Sequence, residues 1–388
     1  MAEVLWEQVN RVEPQVIAWR RDIHAHPEGG FVEFRTARLV ADCLSGLGLS
    51  VRTGVARTGV VADLEAPGKS TRVALRADMD ALELTETAET EYRSNTPGLM
   101  HACGHDAHTA MLLGVATVLS RMRQSLAHSV RFIFQPAEEH PPGGAVAMVE
   151  AGVLEGVNEI YAIHVDSALE AGIFSANAGV AMASTDEFRI VIEGRGGHAA
   201  SPHLTHDPVV ASAGVILALQ TIASRRVDPI DPVVLSVCQV KAGTAFNIIP
   251  EEVSLCGTVR TLKTETRRQI PKMMEETVLG VAAGYGCRAT IDFHEQYPVT
   301  VNDPRAVERV RTAAARLFPD APHFRRSDPR MGAEDFSYYV QNVPGALVWL
   351  GVRNADKGIV HPHHHPRFDL DEAALKNGVA LLAQLTLS

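Results

Sequence analysis

Val130-Arg131-Phe132-Ile133-Phe134 runs straight into Gln135-Pro136-Ala137-Glu138-Glu139, and on that junction the reading of the chain turns. A five-residue run in which four residues are β-branched or aromatic, closed by a proline, has the length and make-up of a buried strand. Two adjacent carboxylates directly behind such a strand are poorly explained as a solvated surface. Upstream, His101-Ala102-Cys103-Gly104-His105-Asp106 sets a thiol and an imidazole two residues apart, ahead of a long apolar helical pattern. Thiolate, imidazole and carboxylate donors gathered in this way suit a transition metal. A spare carboxylate beside such a metal serves as general base toward water. The residues alone thus point to a metallohydrolase.

Around that strand the chain alternates. Helices are expected over 4–25 and 33–47, separated by His26-Pro27-Glu28-Gly29-Gly30, then strands at 49–53, 58–65 and 72–76. A helix at 107–123, the strand at 130–134, a helical stretch at 143–151 and a strand at 159–163 follow. Asp78 and Asp80, Glu138 and Glu139, and His164 would each stand just past a strand. Ligands collect beyond the carboxyl ends of strands in open α/β sheets. The pattern predicts an α/β catalytic domain with a mixed sheet flanked by helices. From residue 183 the texture changes to strand 185–193, helix 207–225, strands 233–241 and 251–261, helix 264–284 and strand 287–296. That β-α-β-β-α-β order makes a compact α+β unit. Its glutamate pairs, Glu251-Glu252 and Glu275-Glu276, do not stand behind an expected strand, and it reads as an insertion. The alternation resumes at Val299, with a strand at 345–351 and a terminal helix at 370–386. The expected boundaries are 1–182 with 299–388 for the catalytic domain and 183–298 for the insertion.

Composition narrows the partners. A chain of 388 residues, 46% hydrophobic and 21% charged, has material for about two or three domains. A formal charge of −10 without any basic tract argues against nucleic acid. No basic leader with an apolar core opens the chain, and no uncharged apolar run of about 18 residues suggests a membrane span. Five scattered cysteines are no disulfide framework, so a cytoplasmic location is expected. Cys43, Cys238, Cys256 and Cys287 fall in apolar patterns and are expected in the core. His24 and His26 read as structural, and His198, in a glycine-rich loop, as a surface residue. Of His361, His363, His364 and His365, only one or two could coordinate a metal.

Taken together, His24-Ala25-His26-Pro27-Glu28, Arg76-Ala77-Asp78-Met79-Asp80-Ala81-Leu82, the 101–106 and 135–139 motifs, Gly196-Gly197-His198, Phe246-Asn247-Ile248-Ile249-Pro250, Met331-Gly332-Ala333-Glu334-Asp335-Phe336 and His364-His365-Pro366 resemble the aminoacylase/carboxypeptidase family of two-metal amidohydrolases. The resemblance spans nearly the whole chain. It is closest to the subgroup of hippurate hydrolases and indoleacetyl-amino-acid hydrolases. It implies two divalent ions, zinc or manganese with cobalt or nickel as further options, held by Cys103, His105, Glu139, His164 and His364, with Cys103 as bridge. It implies Glu138 as general base, Asp80 as the acid that orients a ligand, and a dimerising lid. His198 of that lid would reach the neighbouring subunit's substrate, and Asn247 would bind substrate. The implied reaction is hydrolysis of the amide bond of an N-acyl amino acid or related small amide. A dipeptidase or carboxypeptidase with the same site is the alternative, as is a non-catalytic metal-binding or ligand-binding paralogue. The chain departs from the family at Glu83-Leu84-Thr85-Glu86-Thr87, where a proline and a short polar stretch are usual, and at His365, where asparagine is common.

Overall fold

Strands buried on both faces need no polar alternation, and this is why Phe132–Phe134 and Ile160–Ile163 are continuous apolar runs. The computed structural model describes residues 2–319 and 323–387. In chain order the first elements are α1 (Ala2–Ala25), α2 (Phe34–Gly46), β1 (Ser50–Val55), β2 (Gly59–Leu64), β3 (Arg72–Asp78), α3 (His105–Arg121), β4 (Ser129–Gln135), α4 (Gly144–Glu150), β5 (Glu159–Glu170), β6 (Phe174–Ser175) and β7 (Gly179–Met182). Then come β8 (Asp186–Glu193), β9 (Gly197–His198), α5 (Pro208–Thr221), β10 (Val233–Ala242), β11 (Ile248–Ile249), β12 (Glu252–Thr261), α6 (Thr264–Gly284) and β13 (Arg288–Glu295). The last are β14 (Thr300–Asn302), α7 (Pro304–Leu317), β15 (Phe324–Arg325), α8 (Ser337–Val340), β16 (Gly345–Arg353) and α9 (Leu375–Leu387).

The described residues form two compact units. The first comprises residues up to Ala181, those of Val301–Asp328, and the chain from Asp335 onward. Its sheet has the order β1-β2-β4-β3-β5-β16-β6-β15 and is mixed, with β4, β3, β5 and β16 parallel to one another. On one face Val73, Leu75, Phe132, Phe134, Tyr161, Ile163, Val348 and Leu350 pack with α1, α3 and α9 in a single core. The intervening residues Ala74, Ile133, Ala162 and Leu347 are buried as well, and α4 and α8 pack against β4 and β16. Every residue of α3 from His105 to Leu119 is buried, as befits a helix enclosed on all sides. Two expectations need correction. Strand β5 does not stop at His164 but continues to Glu170, because β16 pairs with it through Trp349↔His164 and beyond. The terminal helix begins at Leu375 rather than 370, after a separate turn at Glu372–Ala374 capped by Asp371.

The second unit is Met182–Thr300 with Pro329–Glu334. Its larger sheet has four antiparallel strands in the order β10-β12-β8-β13. Alternate residues Phe188, Ile190, Ile192, Val253 and Leu255 meet Ala211, Val215 and Leu219 of α5 and Ile270, Met274 and Val278 of α6. The run Pro208–Arg226 is, by length and composition alone, apolar enough to cross a membrane. Here it lays one face on the sheet. Of the cysteines expected in the core, Cys287 is buried, Cys43 and Cys256 are only partly covered, and Cys238 is exposed. Cys238 is the extra residue of a bulge between Val237 and Gln239 on an edge strand, and Cys256 lies on the sheet face opposite that of Leu255, which meets the helices.

Candidate metal centre

The site grows from the carboxyl ends of β3 and β4. Asp78 is the last residue of β3, Asp80 lies two residues on, and Glu138 and Glu139 follow β4. His164 reaches the same level from within β5: the parallel register pairs Arg76 with Ala162, so two residues further on Asp78 stands level with His164. Cys103 and His105 flank Gly104, the N-cap of α3, whose φ of 89° is left-handed. A Cβ there would meet Val165 Cγ2 at 2.4 Å, so only glycine lets the loop approach β5 this closely.

These side chains converge. Cys103 Sγ is 3.5 Å from His164 Nε2, His105 Nε2 is 3.9 Å from Glu139 Oε1, and His364 Nε2 is 3.4 Å from the same oxygen. Glu138 Oε2 lies 4.0 Å from His105 Nε2. Cys103, His105 and His164, then Cys103, Glu139 and His364, and His105, Glu138 and Glu139 form three overlapping donor sets. Asp80 organises them. Its Oδ1 accepts the Glu138 amide at 2.9 Å and faces His105 Nδ1 at 3.2 Å, and its Oδ2 accepts the Glu139 amide at 3.0 Å. With Nδ1–H of His105 given to Asp80, and that of His164 to the Val165 carbonyl at 2.7 Å, both imidazoles turn Nε2 inward.

The electrostatics favour a cation. Burial pushes the Cys103 thiol well up, and Glu139 and Glu138 push it further, so the thiolate these neighbours disfavour needs positive charge beside it. Burial opposes charge on His105, but Asp78 and Asp80 outweigh it and push the group up to about 10. Burial, then His108, hold His164 well below its ordinary range, as a neutral donor. Buried His105 Nε2 and Glu139 Oε1 have no hydrogen-bond partner among the described residues. Orphaned donor atoms beside a thiol and two carboxylates are the chemistry of a divalent-cation site, and the residues fit one.

Other histidines settle elsewhere. His108 gives Nδ1–H to Asp78 at 2.6 Å and accepts the Val165 amide at 2.9 Å, bracing β5 beside His164. His101 is buried outside the donor sets, and burial pushes it down to about 4. His361 and His365 stack on each other at 4.4 Å, and His363 lies beside the His164 ring. His198 and Asn247 belong to the second unit, where β9 pairs with β11 through His198↔Ile248 and the Ala199 amide bonds the Asn247 carbonyl at 3.1 Å. Sequence reasoning missed Glu33 and the Arg76–Asp335–Gln135 cluster. Arg76 bridges Asp78 at 2.7 Å and Asp335 at 2.8 Å, and Gln135 bonds Asp335 at 2.7 Å. A charged residue inside the apolar run 73–77 was the available signal for Arg76.

Residues 74–388 match peptidase family M20/M25/M40. Thermostable carboxypeptidase 2 of Saccharolobus solfataricus is 40% identical over 392 residues, covering 100% of this chain and 98% of that protein. N-acetylcysteine deacetylase of Bacillus subtilis is 38% identical, covering 96% of each chain. The crystal structure of a dinuclear metal-binding peptidase of family M20 from Bacillus subtilis superposes with a TM-score of 0.86 at 35% identity, over 97% of this chain and 98% of that one. The chain belongs to peptidase family M20/M25/M40 and is a metal-dependent amidohydrolase.

Proposed function

We propose that the chain hydrolyses the amide bond of an N-acyl amino acid. Cys103, His105, Glu139, His164 and His364 would hold two divalent cations, zinc or manganese before cobalt or nickel, with Cys103 between them. Once bound, such a pair polarises an amide carbonyl and acidifies water. Glu138 then takes the proton of the attacking water and returns it to the leaving nitrogen. The observation that carries this reading is Glu138 itself, a buried carboxylate 4.0 Å from His105 Nε2, whose backbone N–H donates to Asp80 Oδ1. A protein that merely stored metal would have no use for it. The likeness to a carboxypeptidase favours a second reading, hydrolysis of short peptides at the same site. Turnover of N-acetyl, N-benzoyl and indoleacetyl amino acids against dipeptides, each with added zinc, manganese, cobalt or nickel, decides between them. Preference for acyl amino acids is expected, and a strict dipeptide preference would overturn it.

One cation in a four-coordinate open site could not use five such ligands. Two ions per chain are therefore expected by metal analysis, with Cys103→Ser losing at least one. Full metal content in that variant would remove Cys103 from the site. The free cysteines support a reducing, cytoplasmic setting.

The unit spanning about 183–298 serves, in this proposal, as a lid through which two chains dimerise, with catalysis in 1–182 and 299–388. His198 Nδ1 accepts the Ala200 amide at 3.0 Å, which leaves Nε2–H as a donor on an exposed ring. That donor suits an oxyanion at the partner's site, with Asn247 beside it binding substrate. His198→Ala should keep metal yet lose roughly 10²–10³-fold in turnover, as for one oxyanion donor. Mixing inactive Glu138→Gln and His198→Ala chains should restore activity. If subunits exchange and none returns, His198 does not act in trans.

A further inference from the structure

The turn that presents Glu138 is backbone-strained and is held from a distance in sequence. Ala137 has φ 53°, a left-handed conformation in which its Cβ crowds the following carbonyl oxygen. Both its polar groups are pinned. Its amide donates to Glu33 Oε1 at 2.8 Å, and its carbonyl accepts the Gly144 amide at 3.0 Å. Glu33 is fully buried just ahead of α2. The same Oε1 accepts the Phe31 amide at 3.0 Å, while Oε2 accepts Thr58 Oγ1 at 2.5 Å. Gly30 completes the fit, since a Cβ there would lie 3.0 Å from Ala137 Cβ and 2.6 Å from His140 Nδ1. Burial pushes the Glu33 carboxyl above its ordinary range, and its bonds to Thr58 and to backbone amides pull the other way.

We infer that Glu33 is a positioning residue for catalysis: its Oε1, by gripping the Ala137 amide, fixes the left-handed turn that aims the Glu138 carboxylate. Glu33 lies outside the three overlapping donor sets and acts only through the backbone of the residue before the base. The inference rests on the reading of Glu138 as general base. A buried carboxylate is usually kept for its charge, but here two amides share one oxygen and a hydroxyl sits on the other. A glutamine can reproduce that pattern, its carbonyl taking both amides and its NH2 donating to Thr58 Oγ1. An aspartate keeps the charge but is one methylene too short to reach Ala137 and Thr58 together. Reach, not charge, decides the outcome.

The test compares Glu33→Ala, Glu33→Asp, Glu33→Gln and Glu138→Gln in the metal-loaded full chain, with metal content, melting temperature, kcat and KM on an N-acyl amino acid. Glu33→Ala and Glu33→Asp are expected to keep both metals and an unchanged KM while kcat falls by about 10²-fold, the cost of a small misplacement of a reacting group. Glu33→Gln should regain at least about tenfold of that loss. A fold-stabilising role alone would lower the melting temperature without splitting kcat from KM. Normal kcat in Glu33→Asp, or Glu33→Gln as impaired as Glu33→Asp, would overturn the inference, and Glu33→Asp carries this judgement if Glu33→Ala does not fold. Glu138→Gln separates the two claims: full activity there sinks the general-base reading, whatever the Glu33 variants do.

Discussion

Glu138→Gln is expected to bind its full complement of metal and to lose about 10²–10⁴-fold in turnover, the usual contribution of general-base catalysis. The substitution keeps the shape of the side chain and leaves the hydrogen bond from the residue-138 backbone N–H to Asp80 Oδ1 in place. Only the capacity to take a proton goes. The neighbouring Glu139→Gln should fail in the opposite manner. Glu139 Oε1 stands 3.4 Å from His364 Nε2 and 3.9 Å from His105 Nε2, among the orphaned donor atoms, so an amide there should weaken metal binding itself. Metal analysis and single-turnover hydrolysis on both variants separate the roles. Equal metal loss in the two, or unimpaired turnover in Glu138→Gln, would contradict the assignment.

How the sequence announced this site, and where it fell silent, follows from range. Val130–Phe134 declared β4 because local composition and length suffice for a buried strand, and the acids behind it then had to lie at a sheet edge. Cys103 and His105 were legible for the same local reason, as close neighbours before a helix. The β-α-β-β-α-β order from 186 to 295 was legible because each element carries its own periodicity. His164 stands level with Asp78 but does not end a strand, since the extension of β5 to Glu170 depends on pairing with β16, far later in the chain. Cys238 looked apolar in pattern, and a bulge, which no pattern records, turned it out to solvent.

The partners that brace the site were illegible for a stricter reason. Glu33 meets Ala137 across 104 positions and Arg76 meets Asp335 across 259. Nothing near Glu33 distinguishes it from an ordinary acid ahead of a helix, a placement the helix dipole already explains. His24 bonds Asp106 and faces Glu86, partners that no local pattern names. The chemistry of the metal centre is therefore written locally, and its support is written by the fold.

Arg20→Met should destabilise the first unit by about 3–5 kcal/mol, the range for breaking a buried ion pair by removing one partner. The guanidinium is wholly buried, with Nε 2.9 Å from Asp106 Oδ2, Nη2 2.9 Å from Asp369 Oδ1 and Nη1 3.4 Å from Glu372 Oε1. It lies 4.7 Å from the centre of the Tyr92 ring. One side chain of α1 thus ties the first turn of α3, next to His105, to the segment behind His364. Burial opposes the Asp106 carboxylate, but Arg20 and then His24 hold it well below the usual carboxylate range. A folded-state value depressed in this way gives stability that is present above the unfolded value, about 3.9, and is lost as pH falls toward the folded one. Without Arg20 the depression largely disappears, so the variant has less to lose on acidification. The stability gap between Arg20→Met and the parent chain should be widest at neutral pH and narrow below about pH 4. Adding Asp106→Asn to Arg20→Met should recover part of the loss, because it removes the stranded charge while its amide oxygen still accepts from His24 Nδ1, now 2.7 Å from Asp106 Oδ2. Urea titrations across pH measure all three chains. A gap below about 1 kcal/mol at neutral pH, or one that stays constant through the acid range, would mean that packing around α1 rather than this buried charge holds the metal loop to the carboxyl-terminal segment.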